Sequence, residues 1–227
     1  MILEVSCGSV EEAVLAATAG ADRLEICHAL STGGVTPSLG FFESVRDSVS
    51  IPVFVMVAQP EADFAVNPSD FGAMARDVAH FSKAGADGFV FGCLLPDGRL
   101  DGESNRRLVE IADGKPCTFH RAFDSIADPV RTATQLAEIG FARILTSGHA
   151  PNAGEGAPLL AELIALGLIR ILPGGGVRPE NALRLQQAGA NELHFSIRSG
   201  TKEGGYLGYP LPTFDPERVA AIRAAIR

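Results

Sequence analysis

Strand-sized apolar runs recur along the chain, with polar residues clustered where they end. The clearest ends are Glu25-Ile26-Cys27, Thr118-Phe119-His120-Arg121, Leu145-Thr146-Ser147-Gly148, Gly174-Gly175-Gly176 and Glu192-Leu193-His194-Phe195-Ser196. Between them a small-residue turn returns: Ala19-Gly20-Ala21-Asp22, Ala84-Gly85-Ala86-Asp87, Ile139-Gly140-Phe141-Ala142 and Ala188-Gly189-Ala190-Asn191, each just before a strand pattern. Glycine ends a helix in the left-handed conformation, so this is one αβ loop used repeatedly. The pattern predicts strands near 2–6, 23–27, 52–57, 88–92, 116–120, 142–146, 169–173 and 192–196. Helices are predicted near 9–19, 38–48, 68–84, 103–112, 127–138, 155–166, 179–188 and 214–226. Pro68, Pro129, Pro158, Pro179 and Pro216 fall where a first helical turn tolerates proline. Ser9 with Glu12 reads as a capping box. Eight βα units are the closure number of a (β/α)8 TIM barrel. The competing doubly wound sheet wants an early G-x-G-x-x-G loop, which the chain lacks. No linker-like tract interrupts the pattern, so residues 1–227 are expected to form a single domain.

Side chains alternate along a strand, so parity sorts the polar residues by face. Glu4 shares a face with Ser6, Glu25 with Arg23 and Cys27, Thr118 with His120, and His194 with Glu192 and Ser196. Turned inward, these sets place Glu4, Glu25, Cys27, His120 and His194 in one cavity, with Arg121 and Asp124 at its rim. Carboxylates and imidazoles pay for desolvation inside a barrel unless they are paired or used. Arg23 and Glu192 lie low and read as a structural ion pair; Glu25 and His120 lie near strand C-termini, where such barrels build their sites. The cluster could move protons or hold a metal. The turn Gly174-Gly175-Gly176 precedes a helix after the seventh strand, and Ser196 ends the eighth. Exposed amides and a helix dipole there suit a phosphate or carboxylate. Three longer βα segments, 28–37, 58–67 and 197–213, fall on the same predicted face.

Composition narrows the partners. A net charge of -8 gives no electrostatic footprint for nucleic acid or an anionic membrane surface. Hydrophobic residues make up 46% but never approach the roughly 20 in a row that a membrane helix needs. The N-terminal residues enter a strand pattern without the features of a signal peptide, so a cytoplasmic location is expected. None of the four cysteines stands at C-x-x-C spacing, which excludes a zinc ribbon or a thioredoxin motif.

The run Gly20-Ala21-Asp22-Arg23-Leu24-Glu25-Ile26-Cys27, with Thr36-Pro37-Ser38-Leu39-Gly40, Asp87-Gly88-Phe89-Val90-Phe91-Gly92, Thr118-Phe119-His120-Arg121-Ala122-Phe123-Asp124, Leu145-Thr146-Ser147-Gly148 and Pro173-Gly174-Gly175-Gly176, resembles the CutC copper-homeostasis family over nearly the whole chain. The resemblance implies a TIM barrel, a cytosolic protein, a homodimer, and copper(I) held by cysteines near the first two strand ends. Cys27 matches the second family cysteine. Ser6 occupies the position of the first, and Cys7 is displaced by one residue, a step that reverses the face unless the strand has ended. After the third strand, where the family shows Arg-Pro-Arg-Gly-Gly-Asp-Phe, this chain has Ala58-Gln59-Pro60-Glu61-Ala62-Asp63-Phe64. Two functions are therefore expected to compete. One is copper(I) handling through Cys27 and Cys7. The other is an enzyme on a small anionic or phosphorylated molecule, with Glu25 or His120 as acid or base, Arg121 orienting the substrate, Asp124 holding the imidazole or guanidinium, and Gly174–Gly176 anchoring the anion.

Overall fold

The computed structural model describes residues 1–59, 64–205 and 210–226. Strands β1 (Ile2–Cys7), β2 (Arg23–Ile26), β3 (Val53–Met56), β4 (Gly88–Phe91), β5 (Cys117–Phe119), β6 (Arg143–Thr146), β7 (Arg170–Pro173) and β8 (Glu192–Ser196) carry the fold. Each precedes a helix: α1 (Val10–Thr18), α2 (Leu39–Ser48), α3 (Pro68–Ala84), α4 (Gly102–Ile111), α5 (Pro129–Ile139), α6 (Ala157–Ala165), α7 (Pro179–Gln187) and α8 (Glu217–Ala225). The strands lie in the order β7-β6-β5-β4-β3-β2-β1-β8. The β1–β8 ladder is parallel and brings the first barrel strand against the last, so the sheet curls into a nearly closed TIM barrel. No hydrogen-bonded ladder joins β7 to β8 among the described residues.

The recurring turn does what its residues dictate. Gly20, Gly85, Gly140 and Gly189 sit at φ of 96°, 95°, 105° and 98°, a region that costs glycine little. The aspartate that follows in two of these turns clamps a neighbouring strand: Asp22 Oδ2 accepts the Leu3 N–H and Asp87 Oδ2 the Val53 N–H, both at 2.8 Å. Arg223 and Arg46 brace the same carboxylates at 2.8 and 2.6 Å. Helix α1 carries half of a capping box. Ser9 Oγ accepts the Glu12 N–H at 3.1 Å, but the Glu12 carboxylate takes the Gly8 N–H at 2.8 Å rather than that of Ser9.

Alternation divides the core. Leu3, Val5, Leu24, Ile26, Val53 and Val55 belong to the large cluster between barrel and helices, whereas Cys27, Phe54, Met56 and Val90 form a small one of opposite parity, inside the barrel. The Phe54 ring meets two guanidinium carbons, Arg23 Cζ at 5.0 Å and Arg143 Cζ at 4.8 Å from its centroid.

One expected loop is not a loop. Residues Arg198–Lys202 (β9) and Leu211–Phe214 (β10) pair as an antiparallel ribbon, which displaces the start of α8 from 214 to Glu217. Arg-Ser-Gly-Thr-Lys offers no apolar alternation to read, because the ribbon is largely exposed and rests on backbone pairing instead of a buried face. Residues 206–209 of the expected loop lie outside the described residues, as do Pro60, Glu61, Ala62 and Asp63 of the segment after β3.

Candidate functional site

The C-terminal ends of the strands surround a cavity of about 670 Å³. Glu25, His120, Arg121 and His194 reach it, together with Leu30, Met56, Phe64, Val66 and Met74. A second cavity of about 640 Å³ opens at the other end of the barrel, beside the β7–β8 gap, with Ile2, Ile164, Leu168, Arg170 and Glu192 in its wall. Its charged members already face each other, Arg170 Nη1 standing 3.7 Å from Glu192 Oε1.

Beneath the first cavity lies a buried ionic floor. Arg23 bridges Glu4 and Glu192, and Arg143 stands 3.6 Å from Glu192. Arg143, which parity of the sixth strand could have revealed, also donates toward Thr118 Oγ1 at 3.4 Å. Glu4 contacts Arg23 through one oxygen and His194 Nδ1 through the other, the latter at 2.7 Å. Burial alone would raise the Glu4 pKa, but the hydrogen bond to His194 and the nearby charges of Arg23 and His194 outweigh it and bring it down to about 2. Glu4 thus stays ionised and turns His194 Nε2 toward Glu25, whose Oε1 is 3.9 Å away.

Glu25 differs from its neighbours. Its Oε2 is buried and has no hydrogen-bond partner among the described residues. Burial, reinforced by the Glu4 charge, pushes its pKa up to about 7. Desolvation would lower His194, yet the facing carboxylates of Glu25 and Glu4 prevail and its pKa is raised. Donor atoms of Glu4, Glu25 and His194 all lie within 4.8 Å of one another, close enough for one ion. That oxygen and nitrogen set suits a divalent cation and not copper(I), which prefers sulfur.

His120 follows β5 on the opposite wall. Its Nδ1 accepts the Ala122 N–H at 3.4 Å, so a neutral ring carries its proton on Nε2. Burial lowers its pKa to about 4. Phe64 meets the ring edge-on at 5.0 Å. Arg121 and Asp124 lie in the short 3-10 turn that follows. Arg121 Nε donates to Asp124 Oδ2 at 2.7 Å and Nη2 donates to Ser147 Oγ at 3.2 Å. Asp124 also accepts from the Thr146 hydroxyl and, at 3.1 Å, from the Ser147 N–H. Asp124 therefore holds the guanidinium, not the imidazole.

The glycine turn meets this arginine. At Gly175, φ is 87°, and a Cβ there would stand 3.1 Å from Arg121 Cζ. The Gly174 N–H is taken by the Thr146 carbonyl at 2.9 Å. The N–H groups of Gly175 and Gly176 find no acceptor among the described residues. The Ser196 hydroxyl accepts the Arg198 N–H at 3.1 Å, and Arg198 itself is bound to buried Glu12 at 3.1 Å, so the cation beside the turn is Arg121.

The two candidate cysteines part company. Strand β1 continues through Cys7, which is opposite Ile26 and joins the core between sheet and helices, its Sγ donating to the Val5 carbonyl at 3.6 Å. The expectation that Cys7 reaches the rim with Cys27 is corrected by that continuing strand: one step reverses the face. Inward-facing Ser6 is opposite Glu25 instead. Cys27 is fully buried in the barrel wall, and burial raises its pKa far above that of a free thiol. A Cβ on Gly34 would lie 3.2 Å from Cys27 Sγ and 3.3 Å from Met56 Cε, so the Cys27 thiol and the end of the Met56 side chain both meet this glycine. Met56 was not foreseen, because a strand methionine reads as core.

Comparison with known proteins adds relatives. The model of the CutC family matches residues 1–199. A human "Copper homeostasis protein cutC homolog" is 45% identical over 207 residues, which cover 90% of this chain and 76% of that protein. A Treponema denticola family protein CutC is 41% identical over 204 residues, covering 88% of this chain and 83% of that protein. Among solved structures, a copper homeostasis protein CutC from Streptococcus agalactiae superposes with a TM-score of 0.80 at 28% identity, covering 86% of this chain and 98% of that one.

Proposed function

The chain belongs to the CutC family, and on that premise we propose that the barrel mouth takes a small anionic molecule and exchanges a proton with it. One observation carries the reading: the buried Oε2 of Glu25, which has no partner among the described residues. A carboxyl kept only for structure engages both oxygens, as Glu4 does with Arg23 and His194. A carboxyl with one oxygen unused and a pKa near neutrality is suited to giving and taking protons. In this reading Glu25 or His120 handles the proton, Glu4 orients His194, Arg121 and the amides of Gly175 and Gly176 meet the anion while the Gly174 amide stays with Thr146, and Asp124 aims the guanidinium. Ser196 shapes the turn beside it. Thermal unfolding with inorganic phosphate or pyruvate is the test. Wild type is expected to gain several degrees at saturating anion, and Arg121→Ala and His120→Ala to lose most of that gain. No gain with either anion, or an equal gain in both variants, ends the reading.

A second reading follows the names of the relatives: copper(I) bound at the mouth. What supports it is that Cys27 and Met56 both meet Gly34, residues that carry the soft sulfur donors copper(I) selects. Anaerobic copper(I) titration is expected to give stoichiometric binding that Cys27→Ser abolishes and Cys7→Ser leaves alone. Unchanged affinity in Cys27→Ser overturns it. Both readings take the protein as a cytoplasmic homodimer. The four unpaired thiols are in keeping with a reducing compartment. No helix among the described residues is long and apolar enough to cross a membrane.

A further inference from the structure

The two walls of the mouth carry chemically different groups. On β2 stands a carboxyl, Glu25, with one buried oxygen unused. Just after β5, three places around the sheet, stands His120. Its Nδ1 is tied to the Ala122 N–H at 3.4 Å, its Nε2–H has no acceptor among the described residues, and its ring lines the cavity. Among the described residues nothing anionic pairs with this imidazole; Phe64 and Phe119 meet its ring at 5.0 and 6.0 Å. It is therefore built to donate a hydrogen bond as a neutral acid, and not to hold a positive charge. The third component is Arg121, fixed by Asp124 and Ser147 and laid across Gly175.

A base on one wall, a neutral hydrogen-bond donor on the other and an anion clamp at the rim fit one reaction class. We infer that the mouth catalyses enolisation, the interconversion of an α-hydroxy ketone and its aldehyde isomer on a short chain that ends in a phosphate or carboxylate. This rests on the small-anion reading above and names its reaction. The ionised Glu25 carboxylate takes the proton from the carbon next to the carbonyl. The electrons of that C–H bond form the C=C of an enediol, and the carbonyl π pair moves onto its oxygen, which the His120 Nε2–H stabilises. Glu25 returns the proton to the adjacent carbon, and His120 passes the hydroxyl proton between the two oxygens. Nothing is oxidised or reduced overall, and no co-reactant is needed. The pairing of a carboxylate base with a neutral imidazole tied to a backbone N–H is an established solution for this chemistry. Glu4 and His194 act behind Glu25 as positioning residues, since Glu4 fixes the ring that faces it. The apolar wall of Leu30, Met56 and Met74 limits water around the enediol.

The test is solvent-proton exchange at carbon. Dihydroxyacetone phosphate, hydroxypyruvate and uncharged dihydroxyacetone are incubated with the protein in heavy water and followed by proton NMR. Wild type is expected to wash deuterium into at least one of the two anionic probes tenfold or more above buffer, and to leave the neutral control near its background rate. Which anion responds separates phosphate from carboxylate recognition. Glu25→Gln is expected to abolish exchange. His120→Ala is expected to slow it by about 100-fold in turnover. Arg121→Ala should raise the concentration needed. Glu25→Asp, which retains a carboxylate, is expected to recover part of the rate and so separates chemistry from misfolding. Anion binding by thermal shift with no exchange in either anionic probe overturns the enolisation inference and leaves the binding reading standing; loss of both sinks the two together. Exchange that survives in Glu25→Gln also overturns the inference.

Discussion

Glu4 and Glu25 are both buried carboxyls facing His194, yet their pKa values move in opposite directions. Glu4 receives Arg23 and His194 at hydrogen-bond distance; Glu25 has His194 at 3.9 Å and an unused oxygen. The consequence is a stability signature. The pKa of Glu25 rises from 4.5 in the unfolded chain to about 7, so its contribution is present at low pH and is lost as pH climbs through 7. His194 is raised as well and works in the same direction. His120 is lowered from 6.5 to about 4, so its contribution is present above 6.5 and is lost as pH falls toward 4. Above about pH 6.5 the first effect outweighs what remains of the second, which fades once the unfolded imidazole is neutral. Chemical denaturation is therefore expected to show wild type losing about 1 kcal/mol between about pH 6.5 and 8.5. Glu25→Gln is expected to flatten that slope, because it removes both the carboxyl and the main charge that raises His194.

At the scale of the element, one device recurs: a helix stopped by a left-handed glycine, a small buried residue, then an aspartate that accepts a strand N–H. Asp87 performs the last step for β3 and is braced by Arg46. Asp87→Ala is expected to lower stability by about 1–2 kcal/mol, seen as a lower midpoint in urea with an unchanged slope. Asp87→Asn, whose amide oxygen can still accept the Val53 N–H, is expected to recover part of it. The ribbon of β9 and β10 had no such signature and was missed. The helices and barrel strands were legible because each buries a periodic apolar face; the ribbon buries none.

For the whole molecule, the seam between β7 and β8 has no ladder among the described residues, and a cavity of about 640 Å³ lies against it. Local opening begins where backbone hydrogen bonds and packing are fewest. Hydrogen–deuterium exchange is expected to show β7 losing protection before β1, which is paired on both sides by β2 and β8. Protection of β7 equal to that of β1 would contradict this. The sequence by itself determined the eight βα units, the inward parity of Glu4, Glu25, His120 and His194, and the family. Each of these rests on local periodicity or on runs of neighbouring residues. Only the tertiary structure decided which partners the inward groups find. It tied Asp124 to Arg121, bound Arg198 to Glu12, turned Cys7 away from Cys27 and left one oxygen of Glu25 unmatched. Pairing across a barrel depends on strand register and side-chain reach between residues up to 190 positions apart, as for Glu4 and His194, and no local pattern encodes it.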